Sequence, residues 1–413
     1  MTKKSDAPAI RFKGFSDAWE QRKLGDIGET YTGLSGKTKA DFGHGQARFV
    51  TYMNVFSNPI SDPEMTEPIE IDPKQNEVEV GDVFFTTSSE TPEEVGMSSV
   101  LLEKRGKTYL NSFCFGFRPS EKIDSYYLAY MLRSESARDK IILLAQGISR
   151  YNISKNKVME IAVSLPSLDE QKLIGQYFRQ LDNLITLHQR KFEKLTNVKK
   201  SMLEKMFPQN GSSYPEIRFK GFTDPWEQRK LSEIADKVTE KNAGLQYVET
   251  FTNSAEFGII SQRDFFDHDI AKLGSLDGYY IVKNEDFVYN PRISTSAPVG
   301  PINRNKLGRT GVMSPLYTVF RPHDVDTTYL EHFFKCAYWH SFMNFNGDSG
   351  ARSDRFSIKD DVFFQMPIPL PYIDEQRKIG ELLTRLDHLI TLHQRELEKL
   401  QNIKKSMLEK MFV

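Results

Sequence analysis

The sequence is poor in cysteine, has no long apolar run and carries almost no net charge. Its two cysteines, Cys114 and Cys336, are too few for a disulfide framework or a four-cysteine zinc site. No stretch approaches the roughly 18 consecutive apolar residues that a membrane-spanning helix needs. The lysines near the start are not followed by an apolar segment, so we expect no signal peptide and a reduced, soluble, cytoplasmic protein.

The near-neutral charge comes from 55 basic and 56 acidic residues, which give a formal net charge of −1. This balance excludes a polybasic nucleic-acid binder, but it is compatible with a locally basic surface. Apolar residues make up 39% and charged residues 27% of the chain, which predicts folded domains rather than disorder. The length of 413 residues predicts two or three such domains.

The common signatures of enzymes and cofactor sites are also missing. The segment GKT at 36–38 resembles the end of a phosphate-binding P-loop, but that motif needs glycine at position 31, where the chain has Tyr31. Neither Gly-x-Gly-x-x-Gly nor Gly-x-Ser-x-Gly occurs, and the eight histidines are not spaced as metal ligands. The segment NPR at 290–292 departs from the Asn/Asp-Pro-Pro-aromatic motif of amino-methyltransferases. We therefore expect no catalysis by this chain and no metal or cofactor bound to it.

What the sequence does contain is a long internal repeat. Residues 8–27 return at 215–234 with 15 of 20 positions identical, and residues 166–207 return at 371–412 with 28 of 42 identical. The stretches between these blocks diverge but keep a skeleton in the same order. That skeleton pairs Val95-Gly96 with Val299-Gly300, Phe117-Arg118-Pro119 with Phe320-Arg321-Pro322, Asp124, Tyr127 and Leu128 with Asp326, Tyr329 and Leu330, and Arg150-Tyr151-x-Ile153 with Arg355-Phe356-x-Ile358. This pattern predicts a tandem duplication that gives two homologous domains with different surfaces.

The second repeated block predicts two long helices. Both copies are rich in Leu, Lys, Glu and Gln, and beyond their first two turns they contain no Gly or Pro. Their apolar residues recur in alternating steps of three and four, which is typical of a coiled coil. The predicted core positions are Ile174, Phe178, Leu181, Ile185, His188, Phe192 and Leu195 in the first helix and Ile379, Leu383, Leu386, Ile390, His393, Leu397 and Leu400 in the second.

Two copies of one helix in a single chain predict that they pack on each other in antiparallel orientation. In mirror register His188 meets His393 at the midpoint, where a polar core residue fixes register; the other interpretation is that both histidines lean towards the surface. The predicted fold class is therefore α+β, with two homologous mixed α/β domains in a pseudo-twofold arrangement, separated by an antiparallel coiled coil. The predicted boundaries are 1–165 for the first domain, 166–207 for its helix, 208–370 for a linker and the second domain, and 371–413 for the second helix.

Charge is distributed unevenly between the two domains. Residues 58–96 hold eleven acidic residues and one lysine, whereas residues 287–322 hold five basic residues and no acidic one. The basic segment favours nucleic-acid binding, with an ordinary solvated surface as the other interpretation. The segments QGISRYNIS at 146–154 and GARSDRFSI at 350–358 each place an arginine beside an aromatic residue, which suits contacts to guanine or phosphate. A structural role is the alternative for Arg150 and Arg355, because they belong to the shared skeleton.

Together these features resemble the specificity (S) subunit of type I restriction–modification enzymes. Each half opens with Trp-Glu-Gln-Arg-Lys-Leu and closes with Leu-Pro-x-x-Asp-Glu-Gln and the repeated helix, and this doubled order covers the chain from Ile10 to Phe412. The resemblance implies that each variable region is a target-recognition domain that reads one half of a bipartite, asymmetric DNA site. It further implies that the two domains read in inverted orientation, that the helices set the spacer, and that the subunit has no active site.

The resemblance also implies partners for this chain. Two modification subunits, bound at helices 169–207 and 374–412, would transfer a methyl group from S-adenosylmethionine to adenine N6, and two restriction subunits would add ATP-driven translocation and cleavage. S-adenosylmethionine, ATP and Mg²⁺ would then be bound by the partners and not by this chain. The competing hypotheses are a stand-alone bipartite DNA-binding regulator and a coiled-coil scaffold that does not bind DNA.

Candidates for contacts to DNA are polar, aromatic or cationic residues on predicted loops. In the first domain they are Lys37, Arg48, Tyr52, Asn54, Ser88, Arg150 and Tyr151, and in the second they are Gln262, Arg263, Arg292, Ser294, Arg352 and Arg355. Residues that recur in both halves should position each domain on the DNA backbone, while residues that differ should carry sequence specificity.

Overall fold

The structure is a computed structural model that describes residues 7–209, 211–266, 273–349 and 354–413. The chain divides into two compact units, the first made of Met1–Gln189 and Gln394–Val413 and the second of Arg190–His393. Each unit combines helices with several small sheets, which confirms the mixed α/β character predicted for both domains.

The first unit is built around a four-stranded antiparallel sheet in the order β2-β9-β5-β7, beside a three-stranded sheet β4-β3-β8 and the pairs β1-β11 and β6-β10. Its strands are β1 (Glu20–Lys23), β2 (Gly28–Thr32), β3 (Phe42–Val50), β4 (Thr66–Ile69), β5 (Val83–Thr86), β6 (Ser88–Ser89), β7 (Ser98–Val100), β8 (Thr108–Leu110), β9 (Cys114–Pro119), β10 (Tyr151–Asn152) and β11 (Ala162–Leu165). Its helices are α1 (Tyr52–Ser57), α2 (Ser125–Met131), α3 (Glu135–Ile142), α4 (Lys155–Met159) and the first part of α5 (Leu168–Lys205).

The second unit has a corresponding four-stranded sheet in the order β13-β20-β17-β18, with the pairs β12-β21, β14-β15 and β16-β19. Its strands are β12 (Glu227–Lys230), β13 (Ala235–Lys237), β14 (Phe251–Ser254), β15 (Gly258–Ser261), β16 (Tyr280–Val282), β17 (Phe287–Tyr289), β18 (Ile302–Arg304), β19 (Gly311–Met313), β20 (Thr318–Pro322) and β21 (Pro367–Leu370). Its helices are α6 (Gln262–Phe266), α7 (Thr327–Phe333), α8 (His340–Asn346), α9 (Asp360–Phe363) and the first part of α10 (Ile373–Lys410).

The residues that the two halves share are largely the ones that hold each unit together. The repeated Trp-Glu-Gln-Arg-Lys-Leu segment forms β1 and β12, and its tryptophans, Trp19 and Trp226, are 3% and 2% exposed. In the shared Phe-Arg-Pro segment, Arg118 makes two 2.8 Å bonds to the buried carboxylate of Asp82. These contacts explain why the skeleton persists while the sequence around it diverges.

The shared aspartate and tyrosine of α2 and α7 have a clear physical role. Asp124 caps α2 by accepting a 2.9 Å hydrogen bond from the backbone N–H of Tyr127, and Asp326 does the same for Tyr329 at 2.8 Å. Both tyrosines are fully buried, and each donates its hydroxyl proton to a backbone carbonyl, of Ser164 or of Pro369, in the strand before the long helix. The short helices are therefore fixed to the start of the long ones.

The Glu-Gln pair that opens each long helix is also tied down. Glu170 is completely buried and accepts two bonds, of 2.7 and 2.8 Å, from the guanidinium of Arg11; Glu375 and Arg218 repeat the arrangement at 2.8 Å. A buried carboxylate needs such a partner, because an unpaired charge there is strongly destabilising. Through this ion pair, the N-terminal segment of each repeat is bound to the start of the long helix that ends the same repeat.

Each unit contains two antiparallel stretches of long helix. In the first unit, Phe178 of α5 packs on Phe412 with ring centroids 5.6 Å apart, and Asp182 of α5 pairs with Lys404 of α10 at 2.5 Å. In the second unit Lys199 of α5 forms the repeated ion pair with Asp387 of α10. Residue numbers rise along one stretch as they fall along the other, which is the predicted antiparallel direction.

The predicted helix-pair core positions are all buried or half-buried, from Ile174 to Leu195 and from Ile379 to Leu400. Ile174, Phe178, Ile379 and Leu383 are at most 1% exposed and belong to the cores of their own domains rather than to a simple helix seam. The predicted contact of His188 with His393 stays a prediction.

Candidate nucleic-acid interface

A cleft of about 290 Å³ opens on the first unit between α1 and the segment that follows β5. This first cleft is lined by Tyr52, Met53, Phe56, Ser88, Ser89, Glu90, Glu94, Phe113 and Arg150. Two of its apolar residues point into solvent, since Met53 is 54% and Phe113 is 58% exposed. Exposed large apolar residues beside charged ones are typical of surfaces that bind a macromolecule.

Hydrogen bonds fix the walls of the first cleft. Tyr52 donates its hydroxyl proton to the carbonyl of Ser88 at 2.7 Å, which ties α1 to β6. Strand β6 pairs with β10, and the backbones of Gln146 and Asn152 exchange two hydrogen bonds of 2.9 and 3.0 Å across a tight turn. Arg150 lies on this turn, so the backbone pairing places its side chain at the mouth of the cleft.

The first cleft carries charges of both signs. Arg150 is exposed and makes no hydrogen bond or ion pair with any residue that the structure describes. Glu94 accepts hydrogen bonds from the hydroxyls of Ser89 (3.2 Å) and Thr91 (3.1 Å), while Glu90 is exposed. A carboxylate at this place repels phosphate and can accept a bond from the amino group of cytosine.

A second cleft of about 280 Å³ occupies the corresponding place in the second unit. It is lined by Thr252, Asn253, Ser254, Ala255, Phe265, Phe266, Asn290, Pro291, Arg292, Ile293, Ser294, Pro301, Leu316, Tyr317 and Arg355. Two arginines and no acidic residue line it, so its charged lining is purely basic, whereas that of the first cleft is mixed and net negative.

Backbone contacts join the two arginines of the second cleft. Arg292 and Arg355 are opposite each other in an antiparallel bridge, next to a 2.7 Å bond from the N–H of Phe356 to the carbonyl of Pro291. Both side chains are exposed, and neither has a hydrogen bond or an ion pair among the described residues. Exposed guanidinium groups that have no partner within the protein can bind phosphate oxygens or the O6 and N7 atoms of guanine.

The shared skeleton shows that the two clefts are equivalent. Phe113 lies four residues before Phe117 of the repeated Phe-Arg-Pro segment, and Leu316 lies four residues before Phe320. Each projects into its own cleft, with Leu316 61% exposed. The same fold therefore presents two recognition surfaces with different side chains.

The structure corrects the interpretation of residues 287–322 as a bare basic surface. Four of the five basic residues are neutralised by acids that lie outside the run. These ion pairs are Arg304 with Glu285 and Glu331, Lys306 with Glu331, Arg309 with Glu249, and Arg321 with Asp286. Only Arg292 of this run has no ion pair among the described residues, so the positive character of the second cleft comes from Arg292 and from Arg355.

Six of the predicted DNA contacts line the two clefts. Tyr52, Ser88 and Arg150 lie in the first cleft, and Arg292, Ser294 and Arg355 lie in the second. Tyr151 follows Arg150 on β10, where its ring is half-buried against the domain core.

Three other candidates of the first domain lie outside the cleft. Lys37 is paired with Asp72 at 2.7 Å, which raises the pKa of the lysine and holds that of Asp72 well below its usual range. Arg48 bonds to the hydroxyl and the carbonyl of Thr66. Asn54 is fully buried and donates to the carbonyls of Asp62 and Met65, so it holds the turn after α1 and cannot reach DNA in this conformation.

The remaining candidates of the second domain are less informative. Gln262 is 8% exposed, and its amide donates to the carbonyl of Phe251, so it supports α6. Arg263 is exposed on α6. Arg352 lies outside the described residues.

The residues that sequence reasoning missed are mostly apolar or acidic. The large apolar and acidic ones include Met53, Phe56, Glu90, Glu94, Phe113, Phe265, Phe266 and Leu316, and the polar ones include Ser89, Thr252, Asn253, Ser254 and Asn290. The repeat alignment contained a signal for Phe113 and Leu316, because both occupy one position of the skeleton and are apolar next to a turn. For the residues of α1 and α6 the decisive factor is tertiary, since these helices lie far from the arginines along the chain.

Among the described residues no group of His, Cys, Asp and Glu could hold a metal ion, and no helix combines the length and apolar character needed to cross a membrane. Both cysteines are buried free thiols, and burial raises the pKa of each to about 12, so neither is a reactive thiolate.

Two related domains with equivalent clefts, each joined to a copy of one long helix, define a protein with two recognition modules. The family model for the type I restriction modification DNA specificity domain matches residues 16–197 and again 223–402, and the chain belongs to this family. It is accordingly a specificity subunit with two target-recognition domains, and its role lies in DNA recognition and not in catalysis.

Relatives of similar length support this assignment. The chain is 25% identical to a protein of Methanocaldococcus jannaschii assigned as the specificity subunit of the MjaX type I restriction enzyme, over 94% of this chain and 92% of the relative. It is also 25% identical to the MjaVIII specificity subunit of the same organism, over 75% of this chain and 74% of that one. The crystal structure of a type I restriction–modification S subunit from M. genitalium has the same fold, with a TM-score of 0.59 at 13% identity over 98% and 99% of the two chains.

Proposed function

We propose that this chain is the DNA-recognition subunit of a type I restriction–modification complex, and that each domain reads one half of a bipartite, asymmetric site through its cleft. By this recognition it directs adenine-N6 methylation by two modification subunits and ATP-dependent restriction by two restriction subunits. S-adenosylmethionine, ATP and Mg²⁺ are bound by those partners.

The observation that carries the proposal is the pair of equivalent clefts with unlike linings. Each presents exposed arginine without an ion pair among the described residues, next to exposed apolar side chains. Phosphate contacts position a protein on DNA, while contacts to base edges give sequence specificity. Two clefts on one scaffold with different linings favour two different half-sites, which together make an asymmetric target.

The long helices supply a surface for the modification subunits. Leu184 and Leu187 of α5 are 44% and 46% exposed, and Leu392, the repeat of Leu187, is 46% exposed. Leucine on the outer side of a helix pair is costly in water and suits a further helix packed against it. We therefore place the modification subunits on α5 and α10.

The proposal is tested by single-molecule sequencing of N6-methyladenine in cells that contain the modification subunits with and without this chain. We expect a single bipartite motif that appears only when the chain is present. A chain with both Arg150→Ala and Arg355→Ala is the matched variant, because it loses one arginine from each cleft. It should fold normally, and the methylated motif should disappear. If the motif appears without the chain, or is absent with it, the proposed function is wrong.

DNA-binding measurements on the chain, alone and together with the modification subunits, separate the competing hypotheses. A stand-alone regulator binds its site tightly without modification subunits and leaves methylation unchanged. A scaffold shows no salt-dependent DNA binding in any combination of subunits.

A further inference from the structure

One arginine in the first unit supports the recognition cleft from below. Arg133 donates hydrogen bonds to four backbone carbonyls, those of Ser98 (2.7 Å), Val55 (2.8 Å), Asn58 (2.9 Å) and Phe56 (3.0 Å). Three of these carbonyls belong to the last turn of α1 and the residue that follows it, which are groups that a helix leaves without partners. The guanidinium fork is suited to collecting several such acceptors at once.

Helix α1 depends on this contact because it is short. It has six residues, and isolated helices of that length are not stable in water. Its N-terminal end is fixed by the Thr51 cap and by the bond from Tyr52 to the carbonyl of Ser88, and Arg133 fixes its C-terminal end. Three residues that line the first cleft, Tyr52, Met53 and Phe56, are carried by this helix.

Arg133 also has no acidic partner. None of the ion pairs within the described residues includes it, and its burial, reinforced by the nearby Arg138, lowers the pKa of its guanidinium to about 10. All the hydrogen bonds that its guanidinium makes among the described residues go to backbone carbonyls, and they support the helix that lines a surface that we propose to bind a polyanion.

The second unit has a cation at the same position of the repeat. Arg133 is the second residue after α2, and Lys335 is the second residue after α7. Lys335 is exposed, but its ammonium donates a 2.5 Å hydrogen bond to the side-chain oxygen of the buried Asn303.

Asn303 connects this lysine to the second cleft. Its amide donates to the side chain of Asn253 at 2.7 Å and to the carbonyl of Ser254 at 3.0 Å, and both of those residues line the cleft. The carbonyl of Asn253 in turn accepts a 2.7 Å bond from Asn290, another lining residue. The chemistry differs between the units, but in both a cation after the same helix reaches the underside of the cleft.

We propose that Arg133 and Lys335 are positioning residues for sequence recognition, each of which sets the specificity of its own domain only. This inference rests on the proposed function. Arg133 holds α1 in the orientation at which its side chains meet the bases, and Lys335 holds the asparagine network that forms the wall of the second cleft. Recognition of bases needs cleft walls in fixed positions, because the geometry of each hydrogen bond to a base edge decides which base is accepted.

The test uses the full chain with its modification subunits. Arg133→Met and Lys335→Met remove the charge and the hydrogen bonds, and Arg133→Lys keeps the charge with fewer bonds. Tyr127→Phe and Tyr329→Phe are the matched controls, because each loses a buried hydrogen bond of the same units that does not reach a cleft. For every variant, thermal unfolding is measured, and binding is measured on duplex libraries randomised in one half-site at a time.

We expect Arg133→Met to relax discrimination by about tenfold in one half-site and to leave the other half unchanged. Lys335→Met should relax the opposite half, and by less, because it loses a single hydrogen bond at an exposed position. The discrimination shown by Arg133→Lys should lie between that of the wild type and that of Arg133→Met. If Arg133→Met does not fold, Arg133→Lys tests the positioning role in its place. The tyrosine variants should lower the melting temperature without changing the sequence preference.

Two results would overturn the positioning role. One is that Arg133→Met, or Arg133→Lys in its place, behaves like Tyr127→Phe and loses stability with an unchanged sequence preference. The other is that the arginine and lysine variants relax the same half-site or both halves equally. Failure of the proposed function looks different, because the wild-type complex itself would then show no bipartite preference.

Discussion

The two clefts occupy the same place on two copies of one fold, yet the net charges of their linings are opposite in sign. The first combines Arg150 with Glu90 and Glu94, whereas the second combines Arg292 with Arg355 and has no acidic lining residue. The scaffold beneath them is held by repeated contacts, such as the Arg11–Glu170 ion pair and its copy. The comparison teaches that duplication preserved the framework and left the cleft linings to diverge, which is what two different half-sites require.

The largest expected effect comes from the arginines of the second cleft. Arg292→Ala should reduce discrimination or affinity at one half-site by about 1–3 kcal/mol, because each guanidinium can make two bonds to a guanine or a phosphate. This corresponds to a factor of roughly 5 to 150. Arg355→Ala should act on the same half-site, and Arg150→Ala on the other. Competition binding of the complex to duplexes altered in one half at a time measures this. Unchanged preference and affinity for Arg292→Ala would remove this cleft from the interface.

A pH effect should also distinguish the two units. His332 is 3% exposed in α7, where burial lowers its pKa to about 4, and Tyr130 occupies the same position of the repeat in α2. Below about pH 6.5 the unfolded chain binds a proton at His332, whereas the folded chain does so only near pH 4. The free energy of unfolding is therefore unaffected by His332 well above pH 6.5 and decreases as the pH falls from 6.5 to 4. Between pH 7.5 and 5 this should cost the second unit about 2 kcal/mol.

Urea unfolding at the two pH values measures that loss. His332→Gln is the matched variant, because it cannot titrate but keeps a polar group that can reach Thr384, the present partner of His332 at 3.0 Å. An equal loss of stability in the wild type and the variant would show that other groups cause it.

A smaller effect should follow from exchanging the side chains at one equivalent position of the two clefts. Glu90 and Ser294 occupy this position, because each lies five residues before the valine of the shared Val-Gly pair, Val95 or Val299. Glu90→Ser should strengthen binding to non-specific duplex by about threefold at low salt, and Ser294→Glu should weaken it by a similar factor, since surface charges act through a screened field. A salt titration checks this, and the differences should fade above roughly 0.3 M salt.

The smallest effect is expected on the long helices. Lys199→Ala breaks the ion pair with Asp387, and Lys404→Ala breaks the repeated pair with Asp182. Partly exposed pairs of this kind contribute about 0–1 kcal/mol to stability, so the melting temperature should fall by a few degrees at most. The recognised sequence should not change for either variant, and a change would mean that the helices take part in base recognition.

The repeat made the duplicated architecture predictable from sequence. Heptad spacing indicated the long helices, and the recurrence of Asp124, Tyr127 and Arg118 indicated residues that serve the fold. The prediction for Arg150, Arg292 and Arg355 placed them on loops, and all three line the clefts. Local sequence was sufficient here because short turns expose whatever side chains they carry.

Contacts between segments that are far apart along the chain could not be predicted from local sequence. Asn54 is a polar residue of an ordinary surface type, yet it is buried because two carbonyls of the following turn need a donor. The run of basic residues at 287–322 looked unpaired because its acidic partners, among them Glu249 and Glu331, lie outside it. Composition of a segment describes its charge, but only the fold determines which of these charges remain available.

The ends of the two repeats have a consequence for the order in which the chain can fold. Met411 and Phe412 lie in the core of the first unit against Phe178, whereas Met206 and Phe207 complete the core of the second. The second unit is thus one continuous stretch of chain, and the first is closed only by residues synthesised more than two hundred positions after its body. On the ribosome, the domain that begins first must therefore be the last to be completed.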